Sequence, residues 1–263
     1  MKPKTFANPG EAVRAASEYG GTMPWQERTE LLLGADGLAR LSASHVLVAG
    51  AGGVGACACE MLVRAGVGRV TVVDSDKVSE SNINRQLPAL HSTVGRAKVE
   101  VLKERMLDIN PSLDYAALDV YLTEDTIPEV LGGRDFDYVV DAIDTLAPKV
   151  ALIRWCLSCG LPLVSSMGAG AKTDVTRVHL DDISRTYMCP LAHSLRKRLH
   201  RLGISEGFLA VFSDEKPAEG AMIPEEGLNK RSNVGTVSYL PAVFGCACAQ
   251  AVLSALAGKA EKD

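Results

Sequence analysis

The chain is defined first by what it lacks. No run of about 18 apolar residues is free of charge, so no membrane span is expected. The longest apolar stretch, from Val234 to Leu256, holds Ser238, Pro241, Gly245 and Gln250 and reads as a buried helix. No basic start leads into an apolar core, so no secretory signal is expected and the expected location is the cytoplasm. Positive charge is not in excess: net charge is −4, which excludes a generic polyanion binder and confines any nucleic-acid contact to a local patch. No internal repeat is visible. A single CxxC, Cys156 and Cys159, has no second pair to complete a four-ligand zinc site and reads as structural. Cys57, Cys59, Cys246 and Cys248 lie in apolar segments and are expected to be reduced, small and buried. Disorder is excluded by 47% hydrophobic residues, and 263 residues suffice for one large domain or two small ones.

What is present is concentrated between residues 46 and 98. VLVAGAGGVG places Gly50, Gly52, Gly53 and Gly55 after an apolar run, at a strand-to-helix turn. Backbone N–H groups there can approach a phosphate, at the positive end of the next helix. About 20 residues on, an acidic pair, Asp74 and Asp76, ends a second apolar run, where a carboxylate can hold ribose hydroxyls. Alone, these features suit a dinucleotide. Asn82, Arg85, Gln86 and Lys98 add donors that suit a triphosphate and that a hydride-transfer cofactor does not need. Asp141 and Asp144 occur as DAID at the end of another expected strand, the edge at which open parallel sheets bind ligands. One of the two is a candidate magnesium ligand.

Strands are expected at 45–49, 69–73, 115–120, 136–142 and 162–166, and helices at 53–65, 94–109, 124–131 and 146–158. That alternation predicts an α/β fold with a doubly wound, mostly parallel sheet. A helical lead-in over 25–41 is expected to break at Gly34 and Gly37. Residues 1–22 read as a mobile arm, 23–170 as a triphosphate-binding core, and 171–263 as a substrate-side part of the same domain. In that part a strand is expected at 208–213, a basic amphipathic helix at 190–202, and a long polar loop at 214–233.

GAGGVG, DSDKVSESNINRQ, GRAKVE and DAIDT, in that order, resemble the ubiquitin-activating (E1-like) adenylyltransferase superfamily over about residues 25 to 170; SNxNRQ is the most specific element. The resemblance implies that the glycine loop, Asp74 and Asp76 hold adenosine and phosphates. It further implies that Asn82, Arg85, Gln86 and Lys98 bind the triphosphate, that Asp144 holds the metal, and that Arg28 reaches across a homodimer to the other subunit's ATP. NINRQLPALHSTVGRAKVEVLKERMLDINP, YVVDAIDTLAPKVALI and PLVSSMGAGAKTDVTRVHLDDISRTYMCPLAHSLRKRL carry it toward the tRNA threonylcarbamoyladenosine dehydratases, which, like this chain, lack the two zinc-binding CxxC pairs of the sulfur-carrier activators.

The implied substrate is tRNA carrying threonylcarbamoyladenosine, with ATP and Mg2+ as cofactors and a cysteine desulfurase or sulfur acceptor as a further conceivable partner. Arg196, Lys197, Arg198 and Arg201 form the local basic patch that tRNA would require. Their alternative is a solvated helix face. Some dehydratases carry a cysteine before the C-terminal helix; NKRSNVGTVSYLP has none. Cys189, in MCPLAH, is the one thiol of the substrate half outside an apolar element; it is the candidate for a catalytic cysteine and otherwise reads as structural. Three rival readings stay open: activation of a carrier protein's C-terminus, an NAD-linked oxidoreductase, and a nucleotide sensor without catalysis.

Overall fold

The computed structural model describes residues 23–224 and 232–258. The arm expected at 1–22 lies outside the described residues, as does 225–231 of the loop expected at 214–233. Helix α1 (Glu27–Ala43) leads into β1 (His45–Ala49), α2 (Gly53–Arg64), β2 (Arg69–Val73), α3 (Lys98–Ile109), β3 (Asp114–Leu118) and α4 (Thr126–Leu131). Then come β4 (Tyr138–Asp141), α5 (Leu146–Ser158), β5 (Leu163–Ser166), β6 (Val178–Asp182), α6 (Pro190–His200), β7 (Leu209–Ser213), β8 (Met222–Pro224), β9 (Ser232–Val234) and α7 (Tyr239–Leu256).

Seven strands form one sheet in the order β3-β2-β1-β4-β5-β7-β6. All pairs are parallel except β6 with β7, which is antiparallel and places an oppositely directed strand at one edge. β1 and β4 are fully buried, which explains their unbroken apolar runs: parallel strands covered on both faces need no alternation. On one face α2, α3 and α7 pack through Val48, Leu62, Leu102 and Phe244; on the other α4, α5 and α6 pack through Leu47, Ile153 and Leu195. Chain order reverses between β1 and β4, so a crevice opens there at the C-terminal strand ends.

Several expectations are refined. The helix expected at 94–109 starts at Lys98, because Gly95 is left-handed and Lys77 bridges Ala97 ahead of it. In α1 only Gly34 breaks the helix, with φ 75°; Gly37 stays helical and buried, its close approach to Leu33 leaving little room for a side chain. The expected loop at 214–233 contains β8 and the start of β9, a short antiparallel pair. α7 is long and apolar enough for a membrane span by composition, yet Leu240, Phe244, Cys248 and Val252 are buried in the core.

Candidate active site

The glycine loop is shaped by close approach. Gly50, at φ 98°, sits where a Cβ would lie 2.8 Å from the Ala142 carbonyl oxygen, so only glycine lets the ends of β1 and β4 meet. A Cβ on Gly55 would lie 1.8 Å from the Gly50 carbonyl oxygen, and one on Gly53 2.9 Å from Pro241. α2 therefore starts directly behind the loop, and the N–H groups of its first turn, which no helical carbonyl can satisfy, face the crevice.

Asp74 follows β2 and closes the loop: its Oδ2 accepts from Ala51 N at 2.6 Å and its Oδ1 from Asp76 N at 2.7 Å. Burial raises its carboxyl above the usual range, against the pull of the nearby Lys98 cation and of the two backbone donors. Lys98, the first residue of α3, is almost fully buried and donates to Asp76 Oδ2 at 2.8 Å. The 80–86 segment supplies the remaining groups. Asn82 Oδ1 accepts from Ser79 N at 3.2 Å, a local cap that orders the turn. Arg85 donates to Ser81 O at 2.9 Å and to Asn84 Oδ1 at 2.8 Å. Gln86 lies beside Gly52, and its buried Oε1 has no partner among the described residues. A cleft of about 350 Å³ opens here, lined by Gly53, Cys57, Arg85, Gln86 and Arg105 among others.

The DAID pair divides. Asp141, expected to contact the cofactor, is instead wholly buried: Oδ2 accepts from Ser165 Oγ at 2.7 Å and pairs with Lys149 Nζ at 2.8 Å, while Oδ1 accepts from Ile143 N at 3.1 Å. It holds the turn that presents Asp144, which is exposed in the β4–α5 connection, two residues before α5. Lys149 was missed because a lysine in an apolar helix gives no sign from sequence of pointing inward. Among the described residues no group of three or more His, Cys, Asp or Glu could hold a metal. A single exposed carboxylate nonetheless suits magnesium that takes its other ligands from phosphate and water.

The basic helix is less uniform than its sequence. Arg196 turns back and donates to Thr186 O at 2.6 Å and also to the Thr186 hydroxyl, so it is a clamp on the preceding segment. Lys197, Arg198 and Arg201 are exposed, and Arg198 also lines a cleft of about 260 Å³ with Tyr121 and Arg154. Arg28 is exposed on the first turn of α1. Cys57, Cys59 and Cys248 are buried as expected, but Cys246 is exposed, with its sulfur 3.9 Å from that of Cys57. Burial, followed by the nearby Cys246, pushes the Cys57 thiol up to about 12. Cys189 is buried as well. A further missed residue is Lys172: nearly fully buried, it donates to Ser213 O at 2.5 Å, and burial lowers its ammonium below the usual lysine range.

A doubly wound sheet with a glycine loop, an acid after β2 and a cationic turn at the switch point defines a nucleotide-binding protein of the adenylate-forming, E1-like type. The ThiF family model matches residues 26–263, and the chain belongs to that family. It is 47% identical to the tRNA threonylcarbamoyladenosine dehydratase of Bacillus subtilis over 190 residues, covering 72% of this chain and 74% of that one. The crystal structure of Escherichia coli tRNA N6-threonylcarbamoyladenosine dehydratase, TcdA, in complex with ATP superposes with a TM-score of 0.80 at 34% identity, covering 88% of this chain and 93% of that one. The molybdopterin-synthase adenylyltransferase of E. coli is 32% identical over 59% of this chain and 61% of its own length.

Proposed function

We propose that the protein is an ATP-dependent dehydratase that cyclises threonylcarbamoyladenosine in tRNA, working in the cytoplasm as a homodimer. The observation that carries the choice of substrate is the degree of likeness: 47% identity to a tRNA threonylcarbamoyladenosine dehydratase, against 32% to a molybdopterin-synthase adenylyltransferase.

A carboxylate is a poor electrophile, because its charge is delocalised and its leaving group is oxide. Attack of the threonyl carboxylate on the α-phosphorus of ATP breaks the bond to pyrophosphate and gives an acyl-adenylate. A nitrogen of the same nucleoside then attacks the activated carbonyl, the carbon–oxygen bond to AMP breaks with its electron pair leaving on AMP, and the nitrogen releases its proton to solvent. The net change is loss of water. Because the second attack is intramolecular, holding the chain in a folded geometry supplies much of the rate.

In this reading the glycine loop and the first turn of α2 receive the phosphates, and Asp74 holds the ribose from the position its bond to Ala51 fixes. Lys98 and Arg85, cationic and already tethered beside the loop, stabilise charge developing on the phosphates. Asn82 and Gln86 add hydrogen bonds, the unpartnered Gln86 Oε1 suiting a donor on the nucleotide. Asp144 would hold magnesium, which when bound neutralises phosphate charge. Arg28 would act across the dimer. Leu31 and Leu32, 82% and 76% exposed on the same helix, and the neighbouring Trp25 form an apolar surface suited to cover by a second subunit. Lys197, Arg198 and Arg201 would contact the tRNA backbone.

The test is incubation with ATP, magnesium and tRNA carrying threonylcarbamoyladenosine, followed by mass spectrometry of the digested nucleosides. Loss of one water that requires ATP is the expected result. AMP formed with no change in nucleoside mass would overturn the tRNA reading and redirect the search to the C-terminus of a carrier protein.

A further inference from the structure

The C-terminal strand ends that carry the glycine loop carry a second cluster, which the nucleotide chemistry leaves unused. β7 is parallel to β5, so Asp214, just past its end, lies on the same edge of the sheet as Gly50 and Asp144. β6 runs the other way and begins there, bringing Arg177 and His179 alongside. Asp214 gathers the group. Arg177 Nε donates to its Oδ1 at 2.7 Å and the Tyr187 hydroxyl to its Oδ2 at 3.0 Å. His179 Nε2 lies 3.2 Å from that same Oδ2, at ion-pair distance though off the line of a well-aligned hydrogen bond. The three rings pack on one another: Phe212 is buried, with centroids 5.4 Å from His179 and 5.5 Å from Tyr187.

The outer layer of this stack is open. Tyr187 is 50% exposed and Met188 60%, and Met188 adopts φ 57°, a backbone conformation that non-glycine residues hold only where their surroundings fix it. Rings held at their polar edge by a carboxylate and about half open to solvent suit an unstacked base. The span agrees. β7 stands two strands from β4, about 10 Å at the usual strand spacing. In the substrate, the five bonds from the threonyl carboxyl carbon to the purine cover roughly 6 Å, and the ring system extends beyond that. With the carboxylate at the nucleotide site, the purine falls at the ends of β7 and β6.

Resting on the dehydratase reading, we propose that Tyr187 and His179, fixed by Asp214 over Phe212, form the platform on which the modified purine of the RNA stacks. The ligand class is an adenine base turned out of a single-stranded loop. Stacking needs no charge, so the platform contributes affinity without adding to the salt dependence that backbone phosphates impose.

The test compares an anticodon stem-loop carrying threonylcarbamoyladenosine with native protein and with Tyr187→Ala across a salt series, alongside ATP binding. Tyr187→Ala is expected to bind the RNA about tenfold more weakly, with an unchanged salt slope and unchanged ATP affinity. Tyr187→Trp keeps a ring and serves if the alanine variant does not fold; it is expected to bind within about threefold of native, with its fluorescence quenched by the RNA and not by ATP. Native turnover of the RNA with Tyr187→Ala binding as tightly as native, or Tyr187→Trp losing affinity without quenching, overturns the platform alone. Native protein that leaves the nucleoside mass unchanged overturns the dehydratase reading and the platform with it.

Discussion

The Lys98 ammonium rests on Asp76 at 2.8 Å, with the lysine side chain 5% exposed and the carboxylate 62% exposed. The cation that the triphosphate would require is therefore held at the crevice by a partner that still faces water. Incoming phosphate oxygens can replace or share that carboxylate without moving the lysine backbone, which the start of α3 fixes.

Lys98→Ala is expected to lower kcat/KM for ATP by about 10²–10³, the loss usual for one preorganised charge-stabilising group, with the fold intact by circular dichroism. Asp76→Asn is expected to cost less, about tenfold, because it loosens the lysine without removing its charge. Pyrophosphate exchange measures both. Equal losses for the two variants would show that Asp76 touches the nucleotide itself.

The buried pair Asp141–Lys149 predicts a stability effect rather than a binding one. Both side chains are fully buried at 2.8 Å, and Lys149 also donates to Ile143 O at 2.9 Å. Lys149→Ala leaves a carboxylate buried without its counter-ion and is expected to destabilise by about 3–5 kcal/mol. The double change Lys149→Met with Asp141→Asn removes both charges and is expected to recover a large part of that loss in urea unfolding. A double variant no more stable than the single one would assign the cost to packing.

Asp214 predicts a pH dependence. Its carboxyl is held down at about 2, first by the Arg177 hydrogen bond, which outweighs the opposing effect of burial, and then by the Tyr187 hydroxyl and the nearby His179. The unfolded carboxyl titrates near 3.9. Between these values the unfolded chain binds the proton and the native one does not, so the contribution is complete above about pH 4 and is lost as pH falls toward about 2. Urea midpoints of native protein and Asp214→Asn should therefore differ more at pH 6 than at pH 2.5. The site is open to water, so added salt should narrow the difference. A gap that widens on acidification would contradict the sign.

Much of this architecture was legible because parallel strands and glycine turns leave direct marks. β1, β2 and α5 fall where the apolar runs and helical periodicity place them. Gly50 and Gly55 are required because a Cβ there would lie 2.8 Å and 1.8 Å from a backbone carbonyl oxygen, and so they stand out in sequence. Side-chain direction was not legible. Asp141 and Asp144 share one motif, yet a single turn buries the first against Lys149 and exposes the second. Arg196 and Lys197 are neighbours in a basic run, yet helical geometry turns the first back to Thr186 and the second to water. The Asp214 cluster joins Arg177, His179 and Tyr187 through a strand pairing and a returning segment, a long-range coincidence that no local pattern records.

The last prediction separates the two roles in the basic helix. Lys197, Arg198 and Arg201 are exposed, whereas Arg196 closes the 183–188 segment against α6 by bonding both the carbonyl and the hydroxyl of Thr186. Replacing the three exposed residues together by Ala should leave thermal stability close to native. It should reduce the slope of log K against log salt for tRNA binding by up to about 3 if each residue meets a phosphate. Arg196→Ala should do the reverse, leaving the slope near native and lowering stability by about 1–3 kcal/mol, because buried acceptors lose their donor. The same loss should reach Tyr187, the residue next to Thr186, and weaken binding of the modified base through a displaced ring rather than a missing charge. If Arg196→Ala flattened the salt slope while stability held, the clamp would be secondary and Arg196 would belong to the tRNA surface after all.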